Sequence, residues 1–587
     1  EVDQTSATGL EFAVVQRHGF IRLPDDGYKP RRFHPRSGSF DVAFADYAAP
    51  LGADMRTRYV VRHRISKDEP LIYYVDPGIP EPVRSAVIEG ASWWSDAFAA
   101  AGFPGVFRVE LLPEDAHPLD VRYNVIQWVH RATRGWSYGF GVIDPRTGEI
   151  VKGHVSLGSL RVRQDRRIFE GLLGSQKTGT NDPDDPIQLA LARIRQLAAH
   201  EVGHTLGFAH NFAASTRDRA SVMDYPAPWV KVTNGRLDVS QAYAKGIGDW
   251  DKLATRYAYQ QFEDDAAGLA QIIEQAEQAG QLFLSDADAR APGSAHPLAN
   301  LWDNGADPVA ELEEVLAVRT IAMQRFGAQS LLPKTPLAGL EEVFAPIYFY
   351  HRYQLEAATK SVGGLLYTYA LKEEPGRVAA MVDGATQRRA LQTILSAITP
   401  QALDIPEATL RSLLPRAYGL ERNRELFASE TRPAFDALGA ARTAASMVIS
   451  GLLQRERAAR LIDQHRRRPE LPGLTEVIDA LIKTAFTRAR GARLDAVQNE
   501  VQQVLVGHLA AIAADRALRH GVRAEAEAAL DRIAARLKRR RGVHAAHLLR
   551  TIQRFSRRTS ETFEVRDVPA PPPGSPIGHG WQCGHAR

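Results

Sequence analysis

The stretch His200-Glu201-Val202-Gly203-His204-Thr205-Leu206-Gly207-Phe208-Ala209-His210 limits what this chain can fold into more than any other. Read as an α-helix, its first five residues set His200 and His204 one turn apart on the same face. Two imidazoles at that spacing reach a single metal ion, and Glu201 projects beside them. Gly207 then supplies a residue able to take positive φ, so the helix ends and the chain turns sharply. The turn returns His210 as a third nitrogen. Three neutral histidines leave one position of a tetrahedral Zn²⁺ open, the arrangement of a catalytic rather than a closed structural site.

The helix before the motif is well marked. Asp185-Pro186 reads as an N-cap followed by proline at the first helical position. Ile187, Leu191, Ile194 and Ala198 repeat at helical spacing, which predicts one buried stripe on a helix over about 186–206.

Thirteen residues after His210 stands Met223, within Ser221-Val222-Met223-Asp224-Tyr225-Pro226. Taken alone, Met223 reads as an adaptable core filler and Tyr225 as a half-buried aromatic with a polar handle. Together with the histidine motif, the stretch resembles the metzincin zinc peptidases, whose third histidine is followed by a methionine-containing turn beneath the metal. In astacin-like and serralysin-like members a tyrosine two positions after that methionine lies near the zinc. The resemblance implies one catalytic Zn²⁺ held by His200, His204 and His210, with Glu201 as general base. It implies Gly207 and Met223 as structural support, and Tyr225 as a ligand or as a donor to the oxyanion. The stretches 144–150, 153–159 and 247–252 resemble a bacterial family of secreted zinc-dependent metalloproteases. Those proteins carry a further domain ahead of the metzincin domain and a helical region behind it. The likeness runs from about 30 to about 490, and a periplasmic or secreted location follows from it alone. Glu1 in place of methionine fits a processed or shortened chain.

At 587 residues the chain exceeds a single core. A net charge of +4 gives no reason to expect a nucleic-acid partner. Cys583 is the only cysteine, which excludes an intrachain disulfide. No apolar run has the length of a membrane span. The expected fold class is α+β: a metzincin-like catalytic domain with twisted mixed sheet, active-site helix and Met-turn, then a large all-helical C-terminal region. Residues 1–66 read as a β-rich segment that ends an upstream domain or wraps the next one. The catalytic domain spans 67–307, the helical part 308–560, and a Pro-rich tail, extended or disordered, 561–587.

Strands are expected at 12–15, 40–44, 59–61, 71–75, 107–112 and 125–129, and one helix over 82–101. Residues 136–143 and 149–157 flank a Pro-Arg-Thr-Gly turn and predict a hairpin. On its second arm Val151, Gly153, Val155 and Leu157 alternate with Lys152, His154 and Ser156, so one face is buried and His154 faces solvent. That arm is also the candidate sheet edge for an extended peptide, with Gly153, His154 and Val155 as substrate-binding residues. Residues 158–185 read as a long polar connection, and 247–257 as a helix. Helical periodicity marks 341–371, 386–399, 432–467, 474–488, 495–519 and 522–556, and the basic run 536–541 reads as a solvated helix end. The expected function is a zinc endopeptidase acting on peptides or unfolded protein, with a helical region open to a protein partner. A zinc amidase for a non-protein or cell-wall amide is one alternative. A partner-binding protein with vestigial catalysis is another, and the intact Glu201 argues against it.

Overall fold

The computed structural model describes residues 18–24, 27–131, 135–372, 378–557 and 570–572. The strand expected at 12–15, Cys583 and nearly all of the tail lie outside them. An α+β body carries the histidine motif, and a helical region follows it.

Two strands, β1 (Asp41–Ala45) and β2 (Arg56–Val60), form a hairpin. Then β3 (Arg62–His63) and β4 (Leu71–Val75) enter the main sheet, and helices α1 (Val83–Ser92) and α2 (Trp94–Ala100) follow. The single helix expected over 82–101 is thus two. Trp93 N–H donates to Gly90 O and Trp93 O accepts from Asp96 N–H, so the joint is a tighter i→i+3 turn. The sheet is completed by β5 (Phe107–Leu111), β6 (Asn124–Val129), β7 (Tyr138–Ile143) and β8 (Glu149–Gly158). Strands β5, β4, β6 and β8 run parallel in that spatial order, β3 pairs parallel with the start of β8, and β7 is antiparallel to β8. The sheet is mixed, as expected.

The hairpin forms, but its second arm is not an edge. Strand β8 pairs with β6 as well as β7, and both its faces are covered. Lys152 Nζ donates to Pro118 O and Asp120 O in the loop over one face. His154 is therefore buried rather than solvent-side, with Nε2 3.0 Å from Gln127 Oε1 and its ring against Phe140. The alternation in the sequence was real but marked two buried faces, one apolar and one polar.

Residues 158–185 hold a helix, α3 (Leu160–Leu173), where a polar connection was expected. Its arginines mask the pattern: Arg161 and Asp165 pair at 2.9 Å with both side chains buried, while Ile168, Phe169 and Leu172 join the core of the helical region. Helix α4 (Pro186–Thr205) is capped as predicted, with Asp185 accepting from Ile187 N–H. The same carboxylate accepts from Gly179 and Asn181, which ties down the loop ahead of it. Helices α5 (Asp249–Tyr259), α6 (Asp265–Gln278) and the short α7 (Asp286–Ala289) complete this body. Trp94 Nε1 donates to Ala199 O on α4, and its ring stacks on Phe208 at 5.1 Å.

The upstream segment is laid against this body. Phe40 N–H donates to Gly207 O, Ala209 N–H donates to Gly38 O, and Arg31 donates to Tyr257 O.

Beyond it, α8 (Pro308–Arg325), α9 (Leu340–Tyr348) and α10 (Arg352–Thr359) begin the helical region. Helicity was expected through 371, but the chain leaves α10 to form a small ladder, Leu365–Leu366 with Ala380–Met381. Further helices follow at Gly384–Ser396, Ala437–Leu452, Arg455–Arg467, Leu474–Phe486, Ala492–Ala514, His520–Leu537 and Val543–Arg557. The basic run is not merely solvated: Arg536 and Arg540 both donate to Phe486 O, where a helix exposes unsatisfied carbonyls. Among the described residues no helix is long and apolar enough to cross a membrane.

This core holds an acid-sensitive histidine. His508 lies 3.0 Å from Ser446 Oγ, and burial pushes its pKa down to about 4 from 6.5. Between those values the unfolded chain binds a proton that the folded one refuses, so stability falls as pH drops from 6.5 towards 4. The shift corresponds to at most about 3 kcal/mol. His508→Gln should lose less stability than the parent between pH 6.5 and 4.5 in denaturant titrations. Equal losses would show that His508 is not the group responsible.

Candidate metal centre

Helix α4 delivers His200 and His204 from one face, and its end is built to return His210. Gly207 takes φ +98°, and a Cβ there would lie 1.9 Å from Val61 O, so only glycine permits the turn. Each imidazole is fixed through Nδ1: His200 to Val222 O at 2.7 Å, His204 to Phe208 O at 2.8 Å, and His210 to Asp286 Oδ2 at 2.8 Å. These partners are acceptors, so every Nδ1 carries the proton and every Nε2 presents a lone pair.

The three Nε2 atoms converge. His204 Nε2 lies 3.1 Å from His200 Nε2 and 3.2 Å from His210 Nε2. Lone pairs facing one another at such distances repel unless a cation lies between them. Tetrahedral zinc with Zn–N of about 2.0–2.1 Å separates its nitrogens by about 3.3–3.4 Å, so the donor set fits this ion. Burial and the neighbouring His204 and His210 hold His200 well below the ordinary imidazole pKa, keeping it neutral as a ligand must be. Among the described residues, no other group of three histidine, cysteine or carboxylate side chains converges in this way.

Glu201 is 2% exposed. Burial pushes its pKa up to about 7, against the pull of His210, Arg193, Arg161 and the Gly139 N–H. That last donor belongs to β7. The Gly139 backbone lies so close to Glu201 O that a Cβ would come within 2.3 Å of it. Met223 is buried under α4 against Gly203. Its turn is anchored by Asp251, which accepts from Ser221 Oγ at 2.5 Å and from Val222 N–H at 2.8 Å. Gln196 of α4 holds the other side, donating to Val222 O.

Tyr225 stands beside the histidines, with its ring centroid 5.2 Å from that of His200 and 4.8 Å from that of His210. Trp302 stacks on its outer face at 4.8 Å, and its hydroxyl accepts from Arg290 Nη2 at 3.1 Å. Arg290 also binds Asp286 through Nε, so one carboxylate joins the third histidine to the tyrosine's partner. The loop carrying both is pinned next to His210 by Phe212 N–H on Leu284 O and Asn211 Nδ2 on Leu282 O.

The structure therefore brings together His200, Glu201, His204, His210, Met223 and Tyr225, with Gly207 at the turn. Gly153, His154 and Val155 are buried on β8 and present no free edge. Among the described residues, β7 pairs with β8 alone. Asp286, Arg290, Trp302 and Gly139 were not picked out from the sequence. An Asp-x-x-x-Arg spacing in a four-residue helix looks like any exposed i,i+4 pair, so nothing marked it.

No curated protein and no solved structure matches the chain. A sequence model of a domain of unknown function matches residues 2–68, a range that includes Gly38 and Phe40, which bond to the turn before His210. A second, described as Met-zincin, matches residues 182–492, more than half of the chain and including the whole histidine motif and its methionine turn. Matching sequence and converging donors agree, and the chain belongs to the Met-zincin family, as a zinc-binding protein of the metallopeptidase class.

Proposed function

We propose that this chain is an endopeptidase with one catalytic Zn²⁺, acting on extended peptide laid along β7. The observation that carries the reading is a buried carboxylate, Glu201, beside three convergent histidine nitrogens and behind β7, which among the described residues pairs with β8 alone. His200, His204 and His210 would hold the ion. When bound, Zn²⁺ supplies Lewis acidity that polarises a carbonyl and brings water within reach of deprotonation near neutral pH.

The rest is the work of the chain's own groups. An unpaired strand offers alternating N–H and C=O groups, which hold a peptide backbone whatever its side chains. Strand β7 replaces the β8 edge in that role because β8 is paired on both sides. Glu201 takes the proton of the attacking water and returns it to the leaving amine, and its burial raises its basicity towards working pH. Tyr225, whose hydroxyl accepts from Arg290, would donate its O–H to the developing oxyanion.

A mixture of unstructured peptides should be cut internally by the zinc-loaded protein and spared after chelation. Intact peptides with zinc present, or cleavage of non-protein amides only, would overturn the reading.

Asp286 fixes the orientation of His210, and outer partners of ligating histidines are worth about 10–100-fold in metal affinity. Asp286→Asn should weaken zinc binding by that factor in chelator competition and leave the fold intact. Unchanged affinity would reduce the contact to packing.

A further inference from the structure

Helix α7 is four residues long. That is too short to hold its own direction, because a first helical turn fixes several dihedrals for one hydrogen bond. The aim of its side chains is therefore set by what grips it. On one side the grip is the backbone around Asn211 and Phe212. On the other it comes from the helical region. Asp288 accepts from the hydroxyls of both Tyr367 and Tyr369, which follow the ladder strand Leu365–Leu366. The Tyr369 hydroxyl also accepts from Ser285 N–H at 3.3 Å, where the short helix begins. Lys360, buried at the end of α10, donates to Ala289 O at 2.8 Å and to Ala299 O at 2.6 Å.

Arg290 is the next residue, and its N–H donates to Asp286 O at 2.9 Å, closing the turn. Its guanidinium bonds the Asp286 carboxylate through Nε and the Tyr225 hydroxyl through Nη2. Tyr225 is buried, with the rings of His200, His210, Phe212 and Trp302 around its own. Ring packing is weakly directional, so a ring held by it alone can slide and carry its hydroxyl along. A charge-assisted bond at the hydroxyl fixes that atom. A misplacement of about 1 Å at a reacting group is worth on the order of 10²-fold in rate.

We propose that Arg290 is the positioning residue of Tyr225, and that the helical region makes it one by fixing the short helix ahead of it through Tyr367, Tyr369 and Lys360. The helical region thereby completes the metal centre. The Asp286 carboxylate carries the same tie to His210, so one clamp sets a histidine and the tyrosine together. What Tyr225 does to substrate rests on the peptidase reading; where its hydroxyl lies does not.

Two measurements therefore need no catalysis, and all are made on full-length protein of verified zinc content and melting temperature. Crystal structures of the zinc-loaded parent and Arg290→Met should differ by about 1 Å or more in the Tyr225 hydroxyl, or show it in two positions. A hydroxyl left in place would overturn the positioning role. Amide hydrogen exchange over 284–290 should quicken about tenfold or more when Tyr367→Phe and Tyr369→Phe are combined. Unchanged exchange would overturn the part given to the helical region. The third measurement is kinetic, on a peptide that the parent cleaves. Arg290→Met should lower kcat roughly 10–100-fold with KM within about twofold, and Arg290→Lys should recover part of the loss. In a Tyr225→Phe background the same substitution should change kcat less than about twofold, because residues acting as a unit are not additive. Equal losses in both backgrounds would show that Arg290 does not act through Tyr225. A parent that cuts no peptide would end the peptidase reading, while the hydroxyl position and the exchange would still decide this one.

Discussion

Glu201→Gln should retain zinc and melt within a degree or two of the parent while hydrolysing peptides roughly 10²–10⁴-fold more slowly, the usual worth of a placed base. The substitution keeps the shape of the side chain and removes only its ability to take a proton. Stability should hold for a further reason. Burying a carboxylate disfavours its charged form, seen here as a pKa raised to about 7, and the neutral amide avoids that cost. A zinc-loaded Glu201→Gln protein with near-parental turnover would remove Glu201 from the chemistry. The pair of measurements matters: loss of rate with loss of zinc would leave the base unassigned.

His204→Ala should abolish hydrolysis by a different route. His204 Nε2 is the one within 3.2 Å of both other donor nitrogens. Its loss leaves two ligands for an ion that needs at least three from protein, so zinc affinity should fall well beyond the roughly 10–100-fold of an outer partner. The vacated space, next to the stacked Phe40 ring at 5.7 Å, and the orphaned Phe208 carbonyl should cost stability as well. Metal analysis after dialysis decides it, since full occupancy would move the ligand elsewhere.

The metal ligands were legible in the sequence because their geometry is local. A helix fixes the relation of His200 to His204, and one glycine fixes the turn to His210. Met223 and Tyr225 were legible through resemblance, since nothing in their residue types alone sets a methionine under a helix. What escaped was set by tertiary packing. Helix α3 escaped because its buried face is partly an Arg161–Asp165 pair, which composition reads as surface. The β8 alternation gave the right strand and the wrong environment: period two cannot tell solvent from a second buried, polar layer. Asp286 and Arg290 reach the site only because the backbone at Asn211 and Phe212 captures the loop that carries them.

The bonds from Gly38 and Phe40 to the turn around Gly207 have a consequence for any shortened form of this protein. The two sequence models that match it meet the fold as separate blocks, 2–68 and 182–492, yet the first block holds the loop that presents the third histidine of the second. A form that kept the histidine motif without the upstream block would keep the three histidines and lose the brace beside one of them. The described part of the first block is thus structural support for the site in the second, through Gly38 O on Ala209 N–H and Phe40 N–H on Gly207 O.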